Sequence, residues 1–346
     1  MIRLDREPKK ILVIRLSSIG DVLLSTPLLR LLRKRFPDSE ISYAIKKQYV
    51  DLIRTNPDVD RIFLFDEQGG WQSLREMKLE IMDAGFELVL DIHKNFRSCY
   101  LSRGLRGAVV VRFPKYYVKR WLLVKFGWNF YKEIVPVYKR YFKNLSPIGI
   151  VDDGQGLTFY PENAVREKIK KDLQSHGIDF NKLLVGLAPG AGFATKRWPV
   201  EYFIWVGQRL VREKNAQVVL FGDEKDRGLT GQIVDAIGPL VIDCAGRFSL
   251  METGCAMSFM NIMISNDTGL MHMATALKIK TLAIFGPTTR ELGFFPVGEQ
   301  TRYIENTSLS CRPCSHVGSK KCPKKHFKCM WDVKPDQVYK IIIQRL

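Results

Sequence analysis

The segment Ser265-Asn266-Asp267-Thr268-Gly269 joins a short apolar run, Ile262–Ile264, to Leu270–Leu277, where apolar residues recur at helical spacing, and Thr281–Phe285 follows. The pattern reads as strand, polar loop, helix and strand, a βαβ unit. Such a loop opens at the carboxyl edge of a parallel sheet, where ligands of open α/β sheets bind. Thr268 and Gly269 would leave backbone N–H groups free at a helix start, the helix dipole favours an anion there, and Gly269 admits a ligand close to the main chain. These features suit a phosphate. A carboxylate at Asp267 would repel phosphate, so it is expected either to cap the helix or to accept hydrogen bonds from sugar hydroxyls. Asn266, Asp267 and Thr268 acting merely as caps of a buried helix is the plain alternative.

Three further loops hold reactive residue types. In Ala188–Pro199, APGAGFATKRWP, Gly190 and Gly192 permit a tight turn and Thr195 offers a hydroxyl. Lys196 and Arg197 place positive charge before a proline-started helix, a phosphate-ligand arrangement. Gly222-Asp223 follows the next strand, as part of the same edge or as a simple turn. The first loop, Ser17-Ser18-Ile19-Gly20-Asp21, comes after the run Ile11–Leu16 and before the amphipathic segment VLLSTPLLRLLRKRF. Read by itself, Asp21 is the natural N-cap of that helix.

These loops need a scaffold, and the chain supplies alternating strands and helices. Strands are expected at Ile11–Leu16, Ile41–Ile45, Arg61–Phe65 and Leu88–Ile92, with helices around Gln48–Thr55 and Trp71–Ala84. After a turn-rich stretch near residue 150 the alternation restarts: strands at Leu183–Leu187, Gln217–Phe221 and Leu240–Cys244 lie between helices at 162–175, 200–213, 229–237 and 250–259. The expectation is an α/β chain with two doubly wound parallel sheets, divided as residues 1–156 and 157–346.

Composition narrows the function classes. The 346 residues are 46% hydrophobic and 26% charged, as in an ordinary globular protein of about two domains. No apolar run of ~18 residues suggests a transmembrane helix. The segment MIRLDREPKK has no apolar signal core, which points to the cytoplasm. With 54 basic and 36 acidic residues the net charge is +18, implying a polyanionic partner: nucleic acid, an anionic membrane or a phosphorylated substrate. Arg112–Lys143 holds nine basic residues against one acid, Glu133, and eleven aromatics. It reads as a pair of solvated amphipathic helices or as a basic, aromatic rim for an anionic acceptor or membrane face. Cys99, Cys244 and Cys255 read as small buried residues. Cys311, Cys314, Cys322 and Cys329, spaced C-x2-C-x7-C-x6-C, allow a four-thiolate zinc site as a structural staple on a loop spanning 311–329, with disulfides or free thiols as alternatives.

The motifs together resemble glycosyltransferase family 9, the ADP-heptose:lipopolysaccharide heptosyltransferases, over nearly the whole chain. ILVIRLSSIGDVLLSTPLLRLLRKRFP resembles the family's opening strand, loop and helix, LAPGAGFATKRWPVEYF its nucleotide-diphosphate loop, and SNDTGLMHMATAL its donor-site helix start. The resemblance implies a GT-B fold, with two Rossmann-like domains facing each other across a cleft, the acceptor on the amino-terminal side and the donor on the carboxy-terminal side. A final helix at 335–346 would pack back towards the first domain. It also implies an inverting, metal-independent transfer of heptose from ADP-heptose to the lipopolysaccharide inner core, with no cofactor required. Asp21 would then be the catalytic base. Thr195, Lys196, Gly222, Asp267, Thr268, Gly269 and His272 would hold the donor. Ser18, Gly20, Lys94, Asn95 and Arg97 would meet the acceptor, the last three on the segment DIHKNFRS, where capping of the next helix is the alternative. A lipid A core acceptor implies peripheral contact with the cytoplasmic face of the inner membrane.

Two other classes fit less well. A nucleic-acid binder suits the charge, yet no recognition module is present and the phosphate-type loops lie at sheet edges. A dinucleotide-dependent oxidoreductase suits the Rossmann pattern but lacks G-x-G-x-x-G after the first strand.

Overall fold

Parallel strands are covered on both faces, so they read as continuous apolar runs rather than alternating ones. In the computed structural model, which describes residues 4–346, these runs build a five-stranded and a six-stranded parallel sheet. The first three residues of the amino-terminal segment lie outside the described residues. The chain divides into two units, Met1–Lys115 with Val135–Tyr160, and Tyr116–Ile134 with Pro161–Leu346.

In the first unit β1 (Lys10–Ile14), β2 (Glu40–Lys46), β3 (Arg61–Phe65), β4 (Leu88–Asp91) and β5 (Val109–Arg112) lie in the order β3-β2-β1-β4-β5. Ile14 is opposite Ala44 on one side and Asp91 on the other. The chain winds outward from β1 one way and from β4 the other, so the order reverses between them. The loops after β1 and β4 therefore part at a topological switch point, the usual ligand position of such sheets. The core gathers Leu12, Ile14, Phe63, Phe65, Leu74 and Ile81. The helix Gly70–Ala84 contributes the last two and stops at Gly85, whose φ of 69° is left-handed and disfavours a Cβ.

The segment after β1 is two helices rather than one, Ile19–Leu23 and Thr26–Arg35. Pro27 in the first turn of the second explains the break, because proline starts helices and does not continue them. The expected helix around Gln48–Thr55 is a tighter 3-10 turn, Lys47–Leu52.

In the second unit β6 (Leu184–Ala188), β7 (Gln217–Leu220), β8 (Val241–Asp243), β9 (Ile262–Asn266), β10 (Lys280–Phe285) and β11 (Thr301–Glu305) take the order β11-β10-β9-β6-β7-β8. Here the reversal falls between β6 and β9, so its switch point holds the loops Ala188–Pro199 and Asp267–Gly269. Strands β5 and β11 were not among the expected runs. Both lie at sheet edges and are only partly buried, so neither needs a continuous apolar run. The final helix, Pro335–Ile343, buries Val338 and Ile342 in this unit's core, and Tyr339 Oη donates to Glu213 Oε2 at 2.6 Å. Arg112–Lys143 yields two unlike helices: Val137–Phe142 in the first unit buries five residues, Tyr117–Phe126 in the second only Leu123.

Candidate active site

At the switch point of the first sheet, Ser18 occupies the N-cap position of the helix Ile19–Leu23, and Asp21 is the third helical residue. Asp21 is therefore not the N-cap. Its Oδ2 meets Arg15 Nη2 at 2.6 Å, with Ser18 Oγ at 3.4 Å. Arg15 is itself fixed, donating through Nε to Ser17 O at 2.8 Å and through Nη1 to Ile92 O at 2.9 Å. The guanidinium thus staples the β1 loop to the β4 loop and aims at the carboxylate. Burial works to lower the Arg15 pKa, but the charge of Asp21, aided by Tyr141 and the hydrogen bond to Asp21, outweighs it and the net shift is upward.

Two aromatic groups complete this cluster. His93 is buried, with Nδ1 lacking a hydrogen-bond partner, and its pKa falls to about 3 through burial first, then the charges of Arg15 and Lys115, against the pull of Asp21. Tyr141 is buried with an unpartnered Oη; burial pushes its pKa up, with Arg15 and Asp21 as its main charged influences. Arg15, His93 and Tyr141 were not foreseen. Arg15 offered one signal, a charge near the end of an apolar strand run.

The expected acceptor residues divide. Asp91, fully buried at the end of β4, accepts from the backbone N–H of His93 and Lys94 at 3.2 and 2.7 Å and so shapes their loop. Lys94 adopts φ 48° in that turn, and Lys115 Nζ donates to its carbonyl at 3.1 Å. Asn95 caps the helix Phe96–Ser102: its Oδ1 accepts from Ser98 N at 2.9 Å, and Ser98 Oγ accepts from Asn95 N at 3.0 Å. Arg97 reaches Glu67 at 3.3 Å and lies over the Phe65 ring. The carboxylate engaged by Arg97 belongs to the loop after β3, not to the Asp21 cluster. Gly20 lies in the first turn beside Asp21.

The second switch point gathers three loops on Asp267. Its Oδ2 is 2.7 Å from Lys196 Nζ and accepts from Thr288 Oγ1 at 2.8 Å, while Lys196 Nζ also donates to Asp267 O at 3.2 Å. Asn266, fully buried, accepts from Trp198 N at 3.1 Å and donates to Pro189 O at 2.8 Å. Thr268 is the N-cap of the helix Gly269–Ala276, but its side chain makes no cap hydrogen bond. The first N–H groups of that helix thus carry no side-chain cap, the arrangement that suits an anion. His272 is buried within the same helix. Thr195 is buried and committed to Ser319, donating to its carbonyl at 2.9 Å and accepting from its N–H at 2.8 Å. Gly222 and Gly190 both pack against Asp226; a Cβ on Gly190 would fall 2.1 Å from an Asp226 oxygen.

Each unit thus carries, at its own switch point, a carboxylate held by a cation. Residues 74–326 match the model of glycosyltransferase family 9 (heptosyltransferase). The chain belongs to this family. It is therefore a glycosyltransferase. A lipooligosaccharide heptosyltransferase 2 of Campylobacter jejuni is 27% identical over 326 residues, covering 92% of this chain and 93% of that one. A family 9 glycosyltransferase structure from Veillonella parvula superposes with a TM-score of 0.82 at 24% identity, over 97% of both chains. An Escherichia coli heptosyltransferase WaaC structure with ADP reaches 0.69 at 16% identity, over 97% of this chain and 100% of that one. Two Rossmann-like units with parallel sheets agree with the GT-B expectation.

In this family 9 chain the four clustered cysteines are free thiols. Among the described residues no group of three or more His, Cys, Asp or Glu is arranged to hold a metal ion. Cys311, Cys314 and Cys322 nonetheless lie close enough to Cys329 to act on its charge, and Cys311 Sγ is 3.8 Å from His326 Nε2. Cys329 is packed into the second unit's core, where burial raises its pKa to about 12. The loop is fastened by other means: Arg312 donates to Gly286, Asn306 and Thr288 carbonyls and pairs with Glu305 at 2.5 Å, and Thr195 grips Ser319.

Proposed function

We propose that this glycosyltransferase moves heptose from ADP-heptose to the inner core of lipopolysaccharide, with inversion at the anomeric carbon, at the cytoplasmic face of the inner membrane. The observation that carries the donor assignment is the convergence of Lys196 and the uncapped start of the helix Gly269–Ala276 at the second switch point. An ammonium has three donors; Asp267 takes part of that capacity and the rest can meet a diphosphate. The carboxylate of Asp267, neutralised by Lys196, can also accept from the sugar's hydroxyls.

In the proposed reaction Asp21 Oδ1 takes the proton of the acceptor hydroxyl as that oxygen bonds to the anomeric carbon. The bond from that carbon to the diphosphate breaks on the opposite face, and ADP leaves with the electron pair. Lys196 and the amides at Thr268 and Gly269 receive the growing charge, so no metal is required. Arg15 holds Oδ2 and orients the carboxylate. His93 Nδ1 and Tyr141 Oη, buried without partners beside it, are groups that acceptor hydroxyls or phosphate oxygens would satisfy. Thr195, beside Lys196 in the chain, is bonded to Ser319 and so anchors the loop that carries the lysine.

Calorimetry with ADP, ADP-heptose and UDP-sugars tests the donor, and transfer in the presence of EDTA tests the metal independence. Selective ADP and ADP-heptose binding with EDTA-resistant turnover is expected. Preference for a UDP-sugar would overturn the donor.

A further inference from the structure

The segment Tyr116–Ile134 of the second unit gathers several exposed apolar residues in one short stretch. Its helix, Tyr117–Phe126, buries Leu123 alone. Val118, Trp121 and Trp128 are 69, 57 and 57% exposed, and Phe126 and Phe130 are about half exposed. A helix of a globular unit turns such residues inward, and a contiguous exposed set marks an interaction surface.

The surface is preformed. Trp121 meets Phe126 edge-on at 5.2 Å, and Phe126 stacks with Trp128 at 5.1 Å. Gly127, at φ 72°, turns the chain back so that Trp128 N donates to Leu122 O at 3.3 Å. Asn129 Nδ2 then donates to Glu291 Oε1 at 3.2 Å, tying the far side of the loop to the unit's body. An apolar groove of about 440 Å³ runs at the root of the helix, beside Val118, Trp121, Val124 and His316.

Charge decides what covers it. From Tyr116 to Ile134 the chain carries Lys119, Arg120, Lys125 and Lys132 against one acid, Glu133. Lys119 and Arg120 lie over the rings of Tyr116 and Tyr117, so cations and aromatics share one surface. A second copy of a chain with net charge +18 would bring like charge to the same place. An anionic bilayer suits both halves of the pattern: indole and phenyl rings settle at the headgroup level, and Lys and Arg meet lipid phosphates. No helix among the described residues is long and apolar enough to cross a membrane, so contact through this element would be peripheral.

We propose that Tyr116–Ile134 is a membrane-docking element that seats Trp121, Phe126 and Trp128 at the headgroup boundary of an anionic bilayer. The proposal deepens the proposed function, resting on it for its purpose, which is to keep the enzyme on the surface that bears a lipid-linked acceptor. The docking chemistry is separate from transfer.

The test is co-sedimentation of the full chain with vesicles of phosphatidylglycerol and phosphatidylethanolamine, against phosphatidylcholine vesicles, at about 0.1 M salt. Binding to the anionic vesicles, tighter by about tenfold or more and weakened by added salt, is expected. The double variant Trp121→Ser, Trp128→Ser should lose about tenfold in vesicle affinity while keeping its ADP affinity and thermal midpoint. Lys119→Glu with Lys125→Glu should lose the preference for anionic lipid. Equal binding to both vesicle types, no binding, or unchanged binding by the tryptophan variant would overturn the proposal. So would a concentration-dependent dimer that the tryptophan variant abolishes, which would assign the face to a second copy. Vesicle binding by a chain that binds no ADP would support the docking element and sink the donor reading, so the two failures are distinguishable.

Discussion

Asp21 and Asp267 both stand at topological switch points, Asp21 in the first turn of the helix after β1 and Asp267 directly after β9, and each is held by a cation, at 2.6 and 2.7 Å. Their surroundings differ. The Asp21 side chain is 23% exposed, and its partner Arg15 stands just past the end of β1, in the same loop. The Asp267 side chain is 5% exposed, and its partners Lys196 and Thr288 arrive from two other loops. A carboxylate that must take a proton from a substrate needs access and a fixed orientation, and Asp21 has both. A carboxylate that knots three loops trades access for rigidity. The same residue type at two switch points thus sits in two unlike settings, one open to solvent and one closed by its neighbours.

Replacing each residue in turn is the sharpest way to break this comparison. Asp21→Asn keeps the shape and removes the base, so transfer should fall by about 10³-fold, with ADP affinity and thermal midpoint close to wild type. Near-normal turnover in a single-turnover assay would remove Asp21 from the mechanism. Lys196→Ala should behave differently, because it leaves the buried Asp267 carboxylate without its cation. A loss of about 3 kcal/mol in stability is expected, read by urea unfolding, together with an ADP dissociation constant raised at least about tenfold. A variant that folds normally and binds ADP as well as wild type would show that Asp267 is not the knot described here.

What could be read in the sequence follows the range of the interactions. Strand and helix alternation is written in local apolar periodicity, and the glycine-bearing loops mark themselves by residue type, so both sheets and both switch-point loops were legible. Asp21, Lys196 and Asp267 stand out in the sequence because they lie in those loops. The contacts that give each its character join residues far apart: Arg15 to Ile92, Thr195 to Ser319, Lys196 to Asp267. No local pattern encodes them. The assignment of Tyr116–Ile134 to the second unit is equally remote from any local signal. The cysteine spacing marked a cluster, and Cys311, Cys314 and Cys322 do lie near enough to Cys329 to act on its charge, but spacing alone does not say what the cluster holds.

His93 extends the contrast to pH. It is a neutral imidazole buried among cations in the Asp21 cluster, with its pKa down at about 3, whereas an unfolded histidine titrates near about 6.5. Below pH 6.5 the unfolded chain takes up a proton that the folded chain refuses, so stability falls as pH drops from about 6.5 towards 3. At pH 5 the penalty from this one group is about 2 kcal/mol. His93→Gln should remove it, seen as a shallower fall of the urea midpoint between pH 7 and 5 than in wild type. Identical slopes would show that a proton, or a substrate-like anion, already relieves this site.

The smallest expected effect separates the two helix starts that flank the switch points. Asn95 spends its side chain on a reciprocal cap with Ser98, so Asn95→Ala should cost about 1 kcal/mol in unfolding free energy and leave ADP affinity untouched. Thr268 holds the same cap position on the helix Gly269–Ala276 but makes no cap hydrogen bond; its hydroxyl lies 3.3 Å from Ser265 Oγ. Thr268→Ala should therefore cost only a few tenths of a kcal/mol, while ADP binding weakens by about threefold to tenfold if that hydroxyl joins the amides around a phosphate. The signature is the crossing of the two readouts, stability moving in one variant and affinity in the other. If both variants lost stability alike and neither changed ADP affinity, the uncapped helix start would be a packing accident, and the anion would have to be sought at Lys196 alone.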